Sequence, residues 1–397
     1  MGDITIAYSG VHQIYQIAAA VHEMDRLNRL YCALIDAPLK WGRLVSRILG
    51  SSALANRRSP ELPSEKVTEN PWFFFRERLA TRFKPLDVDL WFQTIENFDA
   101  WVARHLSQSS SKVFVGGESC ALRSFEAGKR RGMQLVLDCP GIHAAFRDER
   151  AKIAATKFGL KRPLGPDLAR IALRKEREIE LADWIFVYSS IHKRSFIEQG
   201  ISPTKLIEIP LWGDPMLATN GRRRLESDGP LRVLYVGGIN LRKGVPYLLD
   251  AVKICGGRPK LTMVGTISME LKPLLQRYSA YYKWLPSQPK SSLRDLYWQN
   301  DVLVMPSLGD SWGFVALEAM LCGLPIIITE NCGAPVPDET WRIPAMNSRA
   351  IADRLELYAR DRVLCRAHGQ VAAEFARQFT PERYRNNLKG FFSTVLG

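Results

Sequence analysis

The sequence has few of the features that define membrane-spanning, disulfide-stabilised or zinc-stabilised proteins. No apolar run reaches the roughly 18 residues that a membrane-spanning helix needs. The seven cysteines are scattered, odd in number and never spaced as Cys-x-x-Cys, which argues against a disulfide framework and a structural zinc site. The first residues show no basic start followed by an apolar stretch. We therefore expect a protein that stays in a reducing cytosol.

Acidic residues are in deficit, while the rest of the composition is ordinary. Hydrophobic residues make up 46% of the 397 positions, and this length favours two domains. The 41 acidic residues against 55 basic ones give a net charge of +14. Such an excess indicates a partner with negative charge, such as anionic lipid, a phosphorylated substrate or nucleic acid. Because no nucleic-acid-binding motif accompanies the charge, we do not expect nucleic acid.

Residues 38–84 hold ten basic and four acidic residues, a local balance of +6, and they also contain a cluster of aromatic residues. A helix over 38–49 would place Lys40, Arg43 and Arg47 on one face. The opposite face would carry the apolar side chains Trp41, Leu44, Val45, Ile48 and Leu49. A basic amphipathic helix of this kind suits an anionic membrane surface. The alternative is a helix packed on its own domain with a solvated basic face.

Short apolar runs alternate with helical patterns along the whole chain, which predicts an α/β protein with parallel sheets. The predicted strands are 4–8, 112–115, 135–137, 184–188, 206–209, 232–236, 260–264, 302–305 and 325–329. A turn-rich, charged stretch at 213–230 separates an N-terminal domain of residues 1–212 from a second domain that starts at 231. Ligands of such domains bind beyond the carboxyl ends of the strands.

The first segment that could bind a ligand joins the predicted strand 232–236 to a helix that starts at Val245. It contains Gly237 and Gly238, which would let a ligand approach the backbone, and then Arg242 and Lys243 directly before the helix. Two cations at a helix start suit a diphosphate. The glycine spacing fits neither a Walker loop nor the dinucleotide fingerprint. Taken alone, the segment could also be a loop with a solvated basic pair.

The second segment follows the predicted strand 302–305. Asp310 lies in its loop, and Glu318 lies eight residues later, more than one turn into the next helix. The amides at the helix start can donate to a polar ligand; they belong to Ser311, Trp312, Gly313 and Phe314. A carboxylate can accept two hydrogen bonds from the adjacent hydroxyls of a ribose or hexose. The alternative places Asp310 as a helix N-terminal charge and Glu318 as an exposed helix residue, although Glu318 lies among apolar neighbours.

Together these segments resemble family 4 of the retaining glycosyltransferases, which have the GT-B fold. The resemblance covers residues 112–395 well and 1–37 loosely. It rests on Gly-Gly…Arg-Lys-Gly-Val, on Pro-Ser…Asp-x7-Glu-Ala-Met…Gly-Leu-Pro and on Glu180-Leu-Ala-Asp-Trp-Ile-Phe-Val-Tyr-Ser-Ser190. It implies two Rossmann-like domains facing a central cleft. Residues 231–380 would bind the donor, and a helix over 381–397 would cross back to the N-terminal domain.

The resemblance also implies roles for individual residues. Lys243 and Arg242 would hold the donor diphosphate, Glu318 the ribose hydroxyls, and Asp310 the transferred sugar. Gly10 would let the first loop approach the phosphates. The amides of residues 311–314 would lie near the sugar and phosphate, and residues 285–290 would lie near the base.

The chain departs from the family pattern at three places. Asp310-x7-Glu318 replaces the usual Glu-x7-Glu, and Gly238 occupies a slot that often carries an arginine. The histidine that often follows the strand at 135–137 is missing there; the sequence reads Asp138-Cys-Pro-Gly-Ile-His143. Either His143 or Asp138 could contact the sugar, and a loop histidine is the alternative.

The function implied is transfer of a sugar from a nucleotide-diphosphate donor, with retention of configuration. The expected acceptor is a lipid-linked saccharide in surface-polysaccharide synthesis, at the cytosolic face of an anionic membrane. We expect no metal and no cofactor, since the Asp-x-Asp at Asp87 and Asp89 lacks the expected context. Alternatives are a catalytically silent GT-B subunit or scaffold, a GT-B epimerase, an inverting transferase and a membrane-surface adaptor that binds no nucleotide sugar.

Overall fold

The structure is a computed structural model of the 397-residue chain. It describes residues 2–10, 13–35, 40–49, 57, 61–82, 88–160, 166–218 and 229–397.

The first of its two sheets is formed by the N-terminal half and has seven parallel strands in the order β3-β2-β1-β4-β5-β6-β7. The strands are β1 (Ile4–Tyr8), β2 (Leu27–Cys32), β3 (Val67–Glu69), β4 (Val113–Gly117), β5 (Gln134–Asp138), β6 (Trp184–Val187) and β7 (Leu206–Glu208). The helices are α1 (Ile14–Glu23), α2 (Trp41–Leu49), α3 (Pro71–Arg82), α4 (Val88–Leu106), α5 (Leu122–Arg130), α6 (Ala144–Phe158), α7 (Pro166–Leu181) and α8 (Ser190–Ile197).

The second sheet has six parallel strands in the order β10-β9-β8-β11-β12-β13. The strands are β8 (Arg232–Val236), β9 (Lys260–Val264), β10 (Tyr282–Leu285), β11 (Val302–Met305), β12 (Ile326–Thr329) and β13 (Arg342–Ile343). The helices are α9 (Val245–Ile254), α10 (Lys272–Arg277), α11 (Lys290–Gln299), α12 (Phe314–Leu321), α13 (Ser348–Arg360), α14 (Arg362–Ala376) and α15 (Pro381–Leu396).

Burial on both faces explains the composition of the central strands. Every residue of β11 and β12 is buried, and β12 reads Ile-Ile-Ile-Thr. Such continuous runs of β-branched residues are typical of parallel sheets covered by helices on both sides. The predicted α/β architecture with two parallel sheets is confirmed.

The last helix leaves the second sheet and packs against the first. Arg385 of α15 donates to the Gln16 side chain at 2.8 Å and pairs with Glu23 at 2.9 Å, both on α1. Lys389 also pairs with Glu23. Phe391 packs edge-on against Phe186 of β6 at 5.0 Å between ring centroids. The two halves of the chain are therefore joined by the C-terminal helix as well as by residues 209–231.

The described part of the predicted linker, residues 213–218, makes more contacts with the core than its turn-rich composition predicts. Leu217 is buried in the core, and its carbonyl lies 3.6 Å from the Cys322 sulfur. The Gly213 amide donates to the Phe379 carbonyl at 3.0 Å. Residues 219–228 of the predicted linker lie outside the described residues.

The predicted amphipathic helix begins at Trp41 as α2. Val45 is buried, whereas Trp41 and Leu44 are exposed by 60% and 47%. The apolar face is thus only partly buried against its own domain. Residues 38–39 and the side chains of Arg43, Ile48 and Leu49 lie outside what the structure describes. Within its described residues, no helix combines the length and apolarity that a bilayer span requires.

Candidate active site between the two sheets

The loop after β8 is held in one shape by glycines and by Asn240. Gly237 has φ +142° and Gly244 has φ +71°. A Cβ at Gly244 would collide with the Pro306 carbonyl oxygen of the neighbouring loop, so this close approach needs glycine. The Asn240 side-chain oxygen accepts a hydrogen bond from the Lys243 amide at 2.9 Å. The sequence offers no pattern that marks Asn240 as important.

Lys243 and Asp310 form an ion pair across the two loops. Burial alone would raise the pKa of the Asp310 carboxyl, but the Lys243 ammonium and the nearby Arg242 hold that pKa below its ordinary value. Asp310 is therefore ionised at neutral pH. The structure thus brings together two residues that the sequence singled out 67 positions apart.

Arg242 lies beside this pair and remains exposed. Its carbonyl accepts a hydrogen bond from the Leu308 amide at 3.0 Å, which fixes the backbone while the side chain reaches solvent. At Gly238, an added Cβ would lie 2.8 Å from the Asn240 side-chain nitrogen. The space beside Gly238 is thus occupied by the Asn240 amide.

The start of α12 presents free backbone donors. Gly313 caps the helix with φ +76°, and a Cβ there would lie 3.2–3.3 Å from Ala334, Cys332 and Met305. Among the described residues, the amides of Trp312, Gly313 and Phe314 have no acceptor. Free N–H groups at a helix start form a partial positive charge suited to an anion or a hydroxyl-rich ligand.

Ser311 connects the two halves of the molecule. Its carbonyl accepts a hydrogen bond from the Ser189 hydroxyl at 2.7 Å, and its own hydroxyl donates to the Pro140 carbonyl at 2.6 Å. Ser189 follows β6 and Pro140 follows β5, so the carboxyl ends of both sheets face the same region. A Cβ at Gly333 would collide with this bridge.

Trp312 and Phe314 differ in what they can offer a ligand. The Trp312 side chain is buried and packs edge-on against Phe379 at 5.7 Å between centroids. Its indole nitrogen is buried and has no hydrogen-bond partner among the described residues. Phe314 is 42% exposed, and its ring lies 6.5 Å from that of Trp212.

Glu318 has a hydrogen-bond partner that the sequence does not predict. The buried Tyr297 hydroxyl donates to Glu318 Oε2 at 2.8 Å. Burial raises the pKa of the Glu318 carboxyl above its ordinary value, while the hydrogen bond from Tyr297 and the nearby Lys290 act in the opposite direction. Lys290 in turn pairs with Asp214 at 3.2 Å. Tyr297 is one of 12 tyrosines and carries no sequence motif.

The region expected near a base runs from β10 to the start of α11. The Leu285 carbonyl accepts a hydrogen bond from the Gly265 amide at 3.0 Å. A Cβ at Gly265 would collide with the Gly237 carbonyl. The loops after β8, β9 and β10 therefore lie side by side at one edge of the sheet. Gly10, on the opposing sheet, follows β1 and packs against the Tyr8 ring, which a Cβ would approach to 2.7 Å.

Asp138 and His143 are both engaged in contacts within the first domain. Asp138 is buried and accepts a hydrogen bond from the Tyr188 hydroxyl at 2.6 Å. Burial raises the pKa of its carboxyl to about 7. His143 caps α6, where its Nδ1 accepts from the Ala145 amide at 3.3 Å. Neither side chain is exposed to a ligand in this conformation.

His143 keeps one ring nitrogen without a hydrogen bond, although Glu176 lies 3.4 Å away. Burial lowers the pKa of the imidazole below its ordinary value. The other histidine nearby, His192, bonds to the Gly141 carbonyl at 2.8 Å, and burial lowers its pKa to about 3. Both are therefore neutral at physiological pH.

No cluster of potential metal ligands occurs within the described part of the chain. Asp89 lies on α4, where it pairs with Arg170 at 3.1 Å. Asp87 and His12 lie outside the described residues.

The second domain is similar to a known family. Residues 230–361 match the family model described as "Glycosyl transferases group 1". A D-inositol 3-phosphate glycosyltransferase of Corynebacterium jeikeium is 26% identical over 272 residues, which is 61% of this chain and 63% of that protein. An uncharacterized 41.2 kDa protein in the cps region of Klebsiella pneumoniae is 30% identical over 107 residues, 26% of this chain and 29% of that one. The matches thus span less than two thirds of these relatives.

Solved structures match over the whole chain. HepE of Anabaena in complex with UDP has a TM-score of 0.63 at 15% identity, covering 99% of this chain and 100% of that one. Sucrose-phosphate synthase of Thermosynechococcus elongatus has a TM-score of 0.65 at 17% identity, covering 100% and 99%. WaaG, described as a glycosyltransferase involved in lipopolysaccharide biosynthesis, has a TM-score of 0.60 at 14% identity, covering 98% and 100%. At these identities the likeness establishes the fold, which is GT-B.

Proposed function

Because residues 230–361 carry a group 1 glycosyl transferase domain in a chain with the GT-B fold, we propose that the protein transfers a sugar from a nucleotide-diphosphate donor. One observation carries the proposal. Lys243 and Asp310 pair beside free helix-start amides, where the carboxyl ends of both sheets face each other. A cation, an ionised carboxylate and backbone donors in one place suit a ligand that combines phosphates with hydroxyls.

The donor would be bound by residues of the second domain. Lys243 and Arg242 neutralise the diphosphate, and Glu318 accepts hydrogen bonds from the ribose through the oxygen that Tyr297 leaves free. Asp310 contacts the transferred sugar, with the amides of residues 311–314 beside it. The HepE structures that contain UDP and UDP-glucose support a nucleotide-sugar ligand. They also make UDP the first nucleotide to test.

The proposed reaction retains the anomeric configuration and needs no metal. The bond between the anomeric carbon and the diphosphate oxygen breaks, and the acceptor hydroxyl oxygen bonds to the same face of the sugar. The acceptor proton moves to a phosphate oxygen of the leaving nucleoside diphosphate. Lys243, Arg242 and the helix-start amides stabilise the charge that develops there. Closure of the two domains would exclude water and so limit donor hydrolysis.

The proposed acceptor is a lipid-linked saccharide used in surface-polysaccharide synthesis, and the proposed site of action is the cytosolic face of a membrane. Support comes from the basic segment 38–84 and from exposed apolar side chains of α2 and α3. WaaG is described as involved in lipopolysaccharide biosynthesis, and the Klebsiella protein is described as encoded in the cps region. The second candidate function is that of a catalytically silent GT-B subunit. It is favoured by Gly238, which stands at the position where the family often has an arginine.

Calorimetric titration with UDP, GDP and ADP sugars, with and without EDTA, tests the proposal. Lys243→Ala should weaken binding of the preferred donor at least tenfold, because a charge-assisted contact to phosphate is lost. Lys260→Ala is the matched control, since Lys260 is exposed at the opposite end of β9. Equal affinities in both variants would contradict the site. Donor binding without transfer or hydrolysis would favour the silent subunit.

A further inference from the structure

A surface groove of about 930 Å³ lies between α3, α4 and α5 of the first domain. Its lining residues include none from the loops that form the candidate active site. It lies on the solvent side of α4, because Phe98 and Val102 of that helix are buried in the core beneath. The indole rings of Trp72 and Trp101 form part of its wall. The groove is therefore a separate feature that the donor site does not explain.

Three arginines make this groove strongly positive: Arg104 of α4, and Arg123 and Arg130 of α5. All three are exposed. Within the described residues, none of their guanidinium groups forms an ion pair or a hydrogen bond, and Glu126 is the only acidic residue that lines the groove. Guanidinium groups are planar, always charged and matched in geometry to phosphate oxygens. Unpaired arginines in a groove thus favour a phosphate-bearing ligand.

An apolar face adjoins the arginines. Trp72, Phe75 and Leu79 are exposed by 62%, 47% and 49%, and their spacing places them on one side of α3. Trp72 belongs both to this face and to the groove. The backbone amide of Trp41, the first residue of α2, donates to Glu69, which ends β3 just before α3 begins. The exposed Trp41 therefore lies close to the N-terminal end of α3.

We infer that the groove of Arg104, Arg123 and Arg130 binds the phosphate of an anionic phospholipid headgroup in a bilayer surface. Phe75 and Leu79 then enter the interfacial region, where Trp72 lies at headgroup level. An acidic polysaccharide in solution would match the arginines but would leave the apolar face of α3 exposed. The inference rests on the proposed membrane-side function and adds a headgroup site on α4 and α5, outside the basic segment 38–84.

Vesicle co-sedimentation of the full chain tests the inference. Vesicles of phosphatidylglycerol and phosphatidylcholine are compared with vesicles of phosphatidylcholine alone. The variant Arg104→Gln, Arg123→Gln, Arg130→Gln should bind the anionic vesicles about 100-fold more weakly, since each basic side chain near such a surface contributes about fivefold. The control Arg349→Gln, Arg360→Gln, Arg377→Gln removes the same charge from exposed positions of the second domain. It should keep nearly wild-type affinity.

Three outcomes would overturn the inference: equal losses in both triple variants, no loss in the groove variant, or equal binding of the wild type to both vesicle types. Displacement from anionic vesicles by soluble polygalacturonate, but not by glycerol phosphate at equal charge concentration, would also overturn it in favour of a polysaccharide. Donor titration without vesicles reports on the proposed function separately. The groove variant should bind the nucleotide sugar as the wild type does, which also shows that it is folded.

Discussion

At the scale of single residues, Tyr297 determines how Glu318 can act. Its hydroxyl occupies Oε2 of the carboxylate and leaves the other oxygen for a ligand. Because burial raises the pKa of this carboxyl, a hydrogen bond that favours the ionised form helps to keep it an acceptor at neutral pH. Tyr297 is thus a positioning residue for the proposed ribose contact.

Tyr297→Phe should weaken donor binding about tenfold, because a hydrogen bond to a charged group contributes about 1.5–3 kcal/mol and part of this is lost with the orientation of Glu318. The pKa of Glu318 should also rise, so affinity should fall more steeply below neutral pH than in the wild type. Calorimetric titration between pH 5.5 and 8 measures both effects. Tyr358→Phe is the control, since Tyr358 is equally buried and bonds to His368 instead. The same affinity and pH profile in the two variants would contradict the role.

The residues of the candidate site were predictable to different degrees. Lys243 and Asp310 each follow a strand of one parallel sheet, so the sequence places them at the same edge. Their ion pair depends in addition on β8 and β11 being neighbours in the sheet, which the order of the strands in the sequence does not predict. Asp138 ends β5, but its burial against Tyr188 depends on packing by the residue that follows β6, which no local pattern encodes. Tyr297 lies within α11, where a single tyrosine outside any motif gives no signal in the sequence.

At the scale of elements, one glycine lies directly before α12 and another lies shortly after it, and comparing them shows what the start of this helix requires. Gly313 and Gly323 have φ of +76° and +82°. A Cβ at Gly313 would press on three side chains, whereas nothing lies within 4 Å of one at Gly323. Alanine at either position should cost about 1 kcal/mol of stability from backbone conformation alone.

Gly313→Ala should additionally weaken donor binding, because the crowding shifts the amides that open α12. Gly323→Ala should leave donor affinity unchanged. Urea unfolding gives the two stability losses, and calorimetry gives the two affinities. Equal donor affinities in the two variants would show that the helix start does not contact the ligand.

Element bounds were predictable where a mostly apolar run is flanked by turn residues. β8, β9 and β11 have the bounds that the sequence predicts, because each is mostly apolar and is flanked by turns, although β8 and β9 begin with a basic residue. β2 was missed, since Asn28 and Arg29 interrupt its apolar pattern, and β3 is only three residues long. Both strands lie at one side of the first sheet, where partial exposure permits polar residues.

At the scale of the whole molecule, two serines form hydrogen bonds that link the two sheets. The Ser189 hydroxyl bonds to the Ser311 carbonyl, and the Ser311 hydroxyl bonds to the Pro140 carbonyl. The bridge lies next to the Lys243–Asp310 pair, so opening of the domains would move the first sheet away from the donor site. Closure and donor binding should therefore be linked.

The double variant Ser189→Ala, Ser311→Ala should shift the ligand-free protein toward an open form. Two neutral hydrogen bonds contribute about 2 kcal/mol together, enough to change the ratio of open to closed molecules about 30-fold. Small-angle X-ray scattering should show a larger radius of gyration than in the wild type, and UDP should reduce it again by favouring the closed form. Ser202→Ala is the control, because its hydroxyl bonds only within one exposed turn. An unchanged radius in the double variant would mean that other contacts, such as the packing of α15 against the first sheet, hold the two sheets together rather than the serine bridge.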